Sequence, residues 1–200
     1  MRSRSSPVSS VSDRRVRRSR ARLFAAAVRL VSERGDTAVP VTVLAEAADM
    51  SRQAMYLQFA DRDAVVVAAG IDLIERELFP RLAQCGGARE MTLLGAEHLA
   101  RYQVFYRGLV TGSCAYSIKQ AVIEAVRCWR DESGRPLVPG LDLMGTDVLV
   151  TFVTGGMFSL FSQWLVDSDC PADPMRVTEQ VLTVAAALGY RDPDAPVTPQ

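Results

Sequence analysis

The sequence has almost no lysine and almost no histidine. Of its 23 Lys and Arg residues only Lys119 is lysine, and His98 is the one histidine in 200 residues. The four cysteines (Cys85, Cys114, Cys128 and Cys170) stand far apart, with no Cys-x-x-Cys pair. A single histidine and scattered thiols argue against a zinc site and a disulfide framework, and they suit a reducing, cytoplasmic setting. There is no Glu-x-x-His pair and no phosphate loop: GTDVLVTFVTGG lacks the lysine and the spacing of a P-loop. Ser113-Cys114 and His98 make no nucleophile–base motif, so no catalytic residue, metal or cofactor is assigned and an enzyme is not expected. No apolar run reads as long enough to cross a bilayer, so no membrane partner is expected. The opening MRSRSSPVSSVSDRRVRRSR has no apolar h-region and does not read as a secretory signal. No segment alternates like a strand between turn residues, which leaves an all-α reading.

What is present is an uneven distribution of charge. Residues 1–60 carry eleven Arg against five acids (Asp13, Glu33, Asp36, Glu46, Asp49), a net of +6, and the remainder balances it with −6. A basic N-terminal part beside an acidic body points to a polyanion partner for the first part only. About half of the residues are apolar, enough for a sizeable core.

Residues 1–12 are rich in Ser, Arg and Pro and read as a disordered basic tail. From Asp13 a helix pattern begins, with Leu23, Phe24, Ala27, Leu30 and Val31 on one stripe and Gly35 as the stop. VPVTVLAEAADM reads as a short helix with Pro40 in its first turn and Asp49 after its last, where a left-handed residue is tolerated. Ser51 caps a third helix, RQAMYLQF. Two short helices joined so tightly form a helix-turn-helix. In that motif the second helix enters the DNA major groove and its first residues meet the base edges. Here these are Arg52, Gln53 and Ala54: Arg bonds guanine bidentately, Gln bonds adenine, and Ala touches a thymine methyl. Ser51, Tyr56, Gln58 and Arg62 are the candidates for phosphate and neighbouring contacts.

The run from residue 23 to residue 65 resembles the TetR family of transcriptional regulators. LFAAAVRLVSERG, Leu44-Ala45, Ala48-Asp49-Met50-Ser51, Tyr56-Leu57-Gln58-Phe59 and Arg62 follow the family pattern without a gap. Asp49 stands where the family usually has Gly, Pro40 where it often has a Ser or Thr that caps the helix and touches phosphate, Gln58 for His and Arg62 for Lys; the resemblance then implies Thr42, two residues after Pro40, as the hydroxyl that contacts DNA. The resemblance implies a three-helix, homeodomain-like DNA-binding domain over residues 13–60. A helical ligand-binding and dimerisation domain is then expected over 61–189, followed by a flexible tail over 190–200.

After a helix expected over 61–79 and ended by Pro80, apolar-periodic segments run over roughly 90–110, 113–132, 141–167 and 173–188. The last two resemble the family's pairing helices, which implies a homodimer through residues 141–188, with Gly155 and Gly156 allowing another helix close. Tyr102, Phe105, Tyr106, Trp129, Phe158 and Phe161 are the candidate lining of an apolar ligand cavity, and His98 reads as a core or helix-surface residue. The implied function is a cytoplasmic repressor. It would bind double-stranded DNA at a palindromic operator and be released by an unidentified small, apolar or aromatic ligand. The alternative is an activator, or a DNA-binding protein without a ligand. If the Arg-rich start lies along phosphates, deleting residues 1–18 weakens binding to every DNA sequence alike. It also lowers the slope of affinity against salt, by close to one for each phosphate that is no longer neutralised. An unchanged slope would mark the segment as a solvated tail.

Overall fold

The computed structural model describes residues 7–134, 147–169 and 171–190, with side chains from Arg15 onward. All regular elements among them are helical. Residues 1–6 of the expected tail, the first six residues of the expected 141–167 helix, Cys170 and the tail after Tyr190 lie outside the described residues.

The N-terminal unit is made of α1 (Pro7–Arg34), α2 (Val41–Ala47) and α3 (Arg52–Tyr56). Helix α1 starts at Pro7, six residues before the expected Asp13, so residues 7–12 are helical. Its C-terminal half is held by burial of Leu23, Phe24, Ala27 and Val31. Once that half is fixed, adding further residues costs little, because nucleation is the expensive step. Pro40 sits one position ahead of the expected place, as the N-cap of α2, with no side-chain cap. Asp49 takes a left-handed φ of 54° at the turn. Ser51 Oγ then accepts the Ala54 N–H at 3.1 Å and starts α3. Met55 and Phe59 face inward, and Phe59 meets Phe24 edge-on with ring centroids 5.8 Å apart.

From Asp61, whose carboxylate accepts the Ala64 N–H, α4 (Arg62–Leu73) leaves the DNA-binding unit and enters the body. The expectation that Pro80 ends this helix needs correction. A π turn over Ile74–Leu78 follows, and α5 (Phe79–Leu82) continues the path. In the wider turn the Phe79 N–H reaches the Ile74 carbonyl five residues back. Pro80 thereby falls in the first turn of α5, where a missing N–H is no loss.

The body is completed by α6 (Ala88–Arg101), α7 (Gln103–Thr111), α8 (Ala115–Ser133), α9 (Asp147–Asp167) and α10 (Pro174–Ala187). The segment expected as one helix over 90–110 breaks at Tyr102, whose φ of −113° and ψ of 31° leave the helical region. Helix α7 anchors its neighbours on two sides. Arg107 donates to the carbonyls of Leu165 (2.7 Å) and Ser168, closing the end of α9. The buried Gln103 accepts the Ala172 N–H at 2.9 Å. On the other side, Gly108 and Gly112 let α7 lie against the end of α1. A Cβ at Gly108 would meet Val31 at 3.3 Å, and one at Gly112 would meet Thr37 Oγ1 at 2.7 Å and the Gly108 carbonyl at 2.9 Å.

The sequence reading also needs correction for α9, which is long and apolar enough, by length and composition, to cross a membrane. Glycines, threonines and serines hide that in the sequence, since they interrupt the apolar run without lowering its average much. In the fold α9 packs against α7, α8 and α10. The Gly112 contact has a measurable consequence. Gly112→Ala is expected to lower stability by roughly 1–3 kcal/mol in urea unfolding, since the new methyl overlaps both neighbours. An unshifted midpoint would mean that the corner gives way freely.

Candidate functional site

Two sites emerge from this arrangement, one on the surface of α3 and one inside the body. On α3, Arg52 and Gln53 are exposed beside the partly exposed Ala54, and Tyr56 is 54% exposed. Gln58 Nε2 lies 3.4 Å from the Ala54 carbonyl, so its amide rests on the same helix. Thr42 is exposed in the first turn of α2. The geometry therefore presents Thr42, Arg52, Gln53, Ala54, Tyr56 and Gln58 on the DNA-binding unit, while Ser51 is spent on the cap. Arg62 is engaged elsewhere. It pairs with Asp63 at 2.7 Å and donates to Ser113 Oγ at 3.4 Å, tying the start of α4 to the α7–α8 corner. Burial would raise the Asp63 carboxyl, but hydrogen bonds from Ser113 and Arg62 outweigh it and hold the group below its usual range.

Sequence reasoning missed Leu57, which caps the end of α3 at 81% exposure. An apolar residue that exposed is visible only once the helix ends are known. Nearby, the Arg20 guanidinium lies 5.2 Å from the Phe24 ring and 5.4 Å from the Phe59 ring, and Arg22 reaches Asp49 at 3.4 Å. These contacts bring the basic part of α1 beside the turn that precedes α3.

The second site is a cavity of about 750 Å³ lined by the π turn and by α5, α6, α7, α8, α9 and α10, and its lining includes the exposed Phe152 and Leu188. Of the expected lining, Tyr106, Trp129, Phe158 and Phe161 are in its wall. Tyr102 and Phe105 are not: Phe105 is fully buried core, and the Tyr102 hydroxyl donates to Glu77 at 2.9 Å. The wall also includes Ile74, Leu78, Leu99, Val122, Val126 and Thr154, which sequence reasoning missed. Nothing in their spacing distinguishes them from ordinary core. Among the described lining residues none carries a charge.

Just behind the wall, His98 Nε2 and the Tyr106 hydroxyl are 2.7 Å apart, and that hydroxyl also donates to the Gly70 carbonyl of α4 at 3.5 Å. Burial drives the His98 imidazole down to about 4, against the opposing charge of Glu77, so the ring is neutral near pH 7. Burial likewise raises the Tyr106 phenol well above its usual value.

The family described as bacterial regulatory proteins, tetR family, matches residues 23–69, the stretch that runs from the packed half of α1 into α4. The N-terminal domain is a TetR-family helix-turn-helix. The match covers residues 23–69 only, the part that carries the DNA-binding helices. No curated protein matches the sequence of the chain.

Solved TetR-like folds extend the likeness to the body. The fatty acid degradation regulator FadR from Bacillus halodurans aligns at 15% identity with a TM-score of 0.52, over 86% of this chain and 99% of that one. The TetR family repressor AlkX from Dietzia sp., implicated in biodegradation of n-alkanes, aligns at 19% identity with a TM-score of 0.55, over 85% and 95%. The dihydroxyacetone kinase operon activator DhaS aligns at 13% identity with a TM-score of 0.51, over 85% and 95%. Identities this low establish a shared fold.

The buried imidazole links acidity to stability. The unfolded chain binds a proton on His98 below about pH 6.5, whereas the folded chain resists it down to about pH 4. This contribution to stability is therefore complete above pH 6.5 and is lost as pH falls toward 4, by up to about 3 kcal/mol. In chemical denaturation at several pH values, His98→Gln should show a correspondingly shallower decline than the parent protein. Equal slopes would show that the imidazole titrates freely.

Proposed function

We propose that this chain is a TetR-type regulator, a cytoplasmic, non-enzymatic, homodimeric repressor that holds a palindromic operator through α3. A small apolar molecule entering the body cavity would release it. The observation that carries this reading is the helical path from Arg62 to Leu82. At one end Val65, Val66 and Ala69 are buried in the shared core, and at the other Ile74, Leu78, Phe79 and Leu82 form cavity wall. A ligand that favours a different position of the wall thereby favours a different position of the DNA-binding unit, and the coupling is reciprocal.

The outer face of α9 supports the dimer. Val148, Phe152, Gly156, Ser159, Gln163 and Val166 recur at spacings of three and four and all are exposed; Phe152, Gly156, Ser159 and Gln163 also line the cavity, so this face and the cavity adjoin. Among the described residues, and apart from its own helical backbone and chain neighbours, nothing lies within 4 Å of where a Gly156 side chain would be, and Gly155 meets only the Lys119 side chain, at 3.9 Å. Exposed Val184 and Leu188 extend the apolar surface onto α10. A second copy would cover this face and set two α3 helices about 34 Å apart on one side of the duplex. The names of FadR and AlkX, which refer to fatty acids and n-alkanes, favour an aliphatic effector. DhaS shows that the same fold also serves an activator, so the sign of regulation needs its own measurement.

Selection of bound DNA from a random pool tests the operator. A palindrome with half-sites one helical turn apart is the expected outcome, and bound sequences without symmetry would overturn the dimeric reading. On the recovered operator, Arg52→Ala should cost about 1–3 kcal/mol and relax preference at one base pair. A uniform loss at every base would make Arg52 a phosphate contact.

A further inference from the structure

The lining of the body cavity spans two different environments. At one end stand Tyr106, Ile118 and Leu165, each no more than 3% exposed. At the other stand Phe152 and Leu188, at 66% and 65%. A hollow with such a gradient is open on one side. Every exposed residue of the described lining (Phe152, Gly156, Ser159, Gln163, Val184 and Leu188) belongs to α9 or to the end of α10, and none belongs to α5–α8. A small apolar molecule seated here would keep its outer side in water unless something else covers that mouth.

The mouth and the outer face of α9 have Phe152, Gly156, Ser159 and Gln163 in common, so a body seated on the face also covers the mouth. Only 22% of the most apolar 18-residue stretch of α9 is buried within its own chain. The face, from Val148 to Val166, has no charged side chain. In a two-fold pair the residues near the axis meet their own copies, so a charged face repels itself whereas an uncharged one does not. A bilayer suits the composition of α9 but not its fastening. Arg107 holds the Leu165 and Ser168 carbonyls, and Trp164 Nε1 donates to the Asp173 carbonyl at 3.1 Å, which keeps α9 in the body.

We propose that the effector site is complete only in the dimer: a second copy of this chain, seated on the α9–α10 face, closes the mouth of the cavity and touches the bound molecule. The assignment rests on the homodimer and on the cavity as effector site, and it adds that both copies contribute to one site. Binding and pairing are then linked, because a ligand held by two copies tightens the pair and the pair tightens the ligand. An effector that strengthens the pair does not free the operator by splitting it. Release goes through a change of geometry within an intact dimer.

The test uses the full-length protein and decan-1-ol, an uncharged apolar probe matched to a lining without charge. Sedimentation velocity over a dilution series gives the dimer dissociation constant with and without the probe. The fluorescence of Trp129, which lies in the wall, gives probe affinity above and below that constant. The dimer constant should fall at least tenfold with the probe bound, and the dilute, monomeric protein should bind the probe at least tenfold more weakly. That factor corresponds to leaving about 55 Å² of apolar ligand surface in water. Val148→Glu combined with Val166→Glu puts like charges on the face at two exposed positions that do not line the cavity. This variant should be monomeric where the parent is paired, with the parent's helix content by circular dichroism, and should show the same weakened probe binding. If it fails to fold, the dilution series of the parent decides.

A dimer constant indifferent to the probe, or equal probe affinity in paired and monomeric protein, would overturn the proposal and leave an effector site made by one chain. A parent protein that is monomeric at every concentration removes the dimeric reading and the proposal together; if it also floats with phosphatidylcholine vesicles, a bilayer covers the face instead. Failure of decan-1-ol to bind at any protein concentration removes the reading of the cavity, and the proposal falls with it.

Discussion

Most of this molecule's behaviour depends on one constraint: a single helical path has to be packed at both ends in different company. Near its start, Val65 and Val66 are fully buried, and Arg62 is held between Asp63 and Ser113. Near its finish, the side chains of Ile74 and Leu78 form part of a hollow. Close-packed interiors do not compress, so a displacement at the hollow end has to be passed along the helix or absorbed within it. Helix α7 narrows the choice further. Its glycines press on the end of α1 while Arg107 and Gln103 hold the α9–α10 turn. The DNA-binding unit is thus joined to the body at two places, the start of α4 and the α7 corner.

The electrostatics divide along the same lines. Charge is concentrated on α1 and on the outer surfaces, where Arg20 and Arg22 brace the turn ahead of α3. The interior contains a neutral imidazole and a phenol that satisfy one another and a backbone carbonyl. This polar triad costs little because each member has a partner, and it ties α6 and α7 to Gly70 of α4 without bringing charge near the hollow.

How legible each feature is in the sequence follows how local it is. The turn at Asp49, the caps at Ser51 and Asp61, and the inward Met55 and Phe59 are all readable, because caps and helical stripes depend on near neighbours. The start of α1 is not, because composition describes a free chain, whereas this segment extends a helix already fixed by Leu23 and Phe24. The usual rule for proline fails at Pro80 because a π turn shifts it into a first-turn position. Among the expected cavity residues, Tyr106, Trp129, Phe158 and Phe161 stand in the wall, whereas Phe105 is solid core. Helical spacing tells which residues point inward. It does not tell whether anything fills the space they point into.

The π turn has a consequence for the chain as a string of residues. A turn of this kind carries one residue more than the α turn it replaces, so Ile74–Leu78 holds a surplus residue within an otherwise regular path. Winding the same residues as ordinary α-helix would rotate everything beyond the turn by about 100° relative to what precedes it. The cavity-facing side of α5 would then face solvent, and Pro80 would return to a position where it breaks the helix. The spare residue therefore sets the rotational phase between the two ends of the path, so that the face buried in the core and the face lining the hollow can belong to one uninterrupted element.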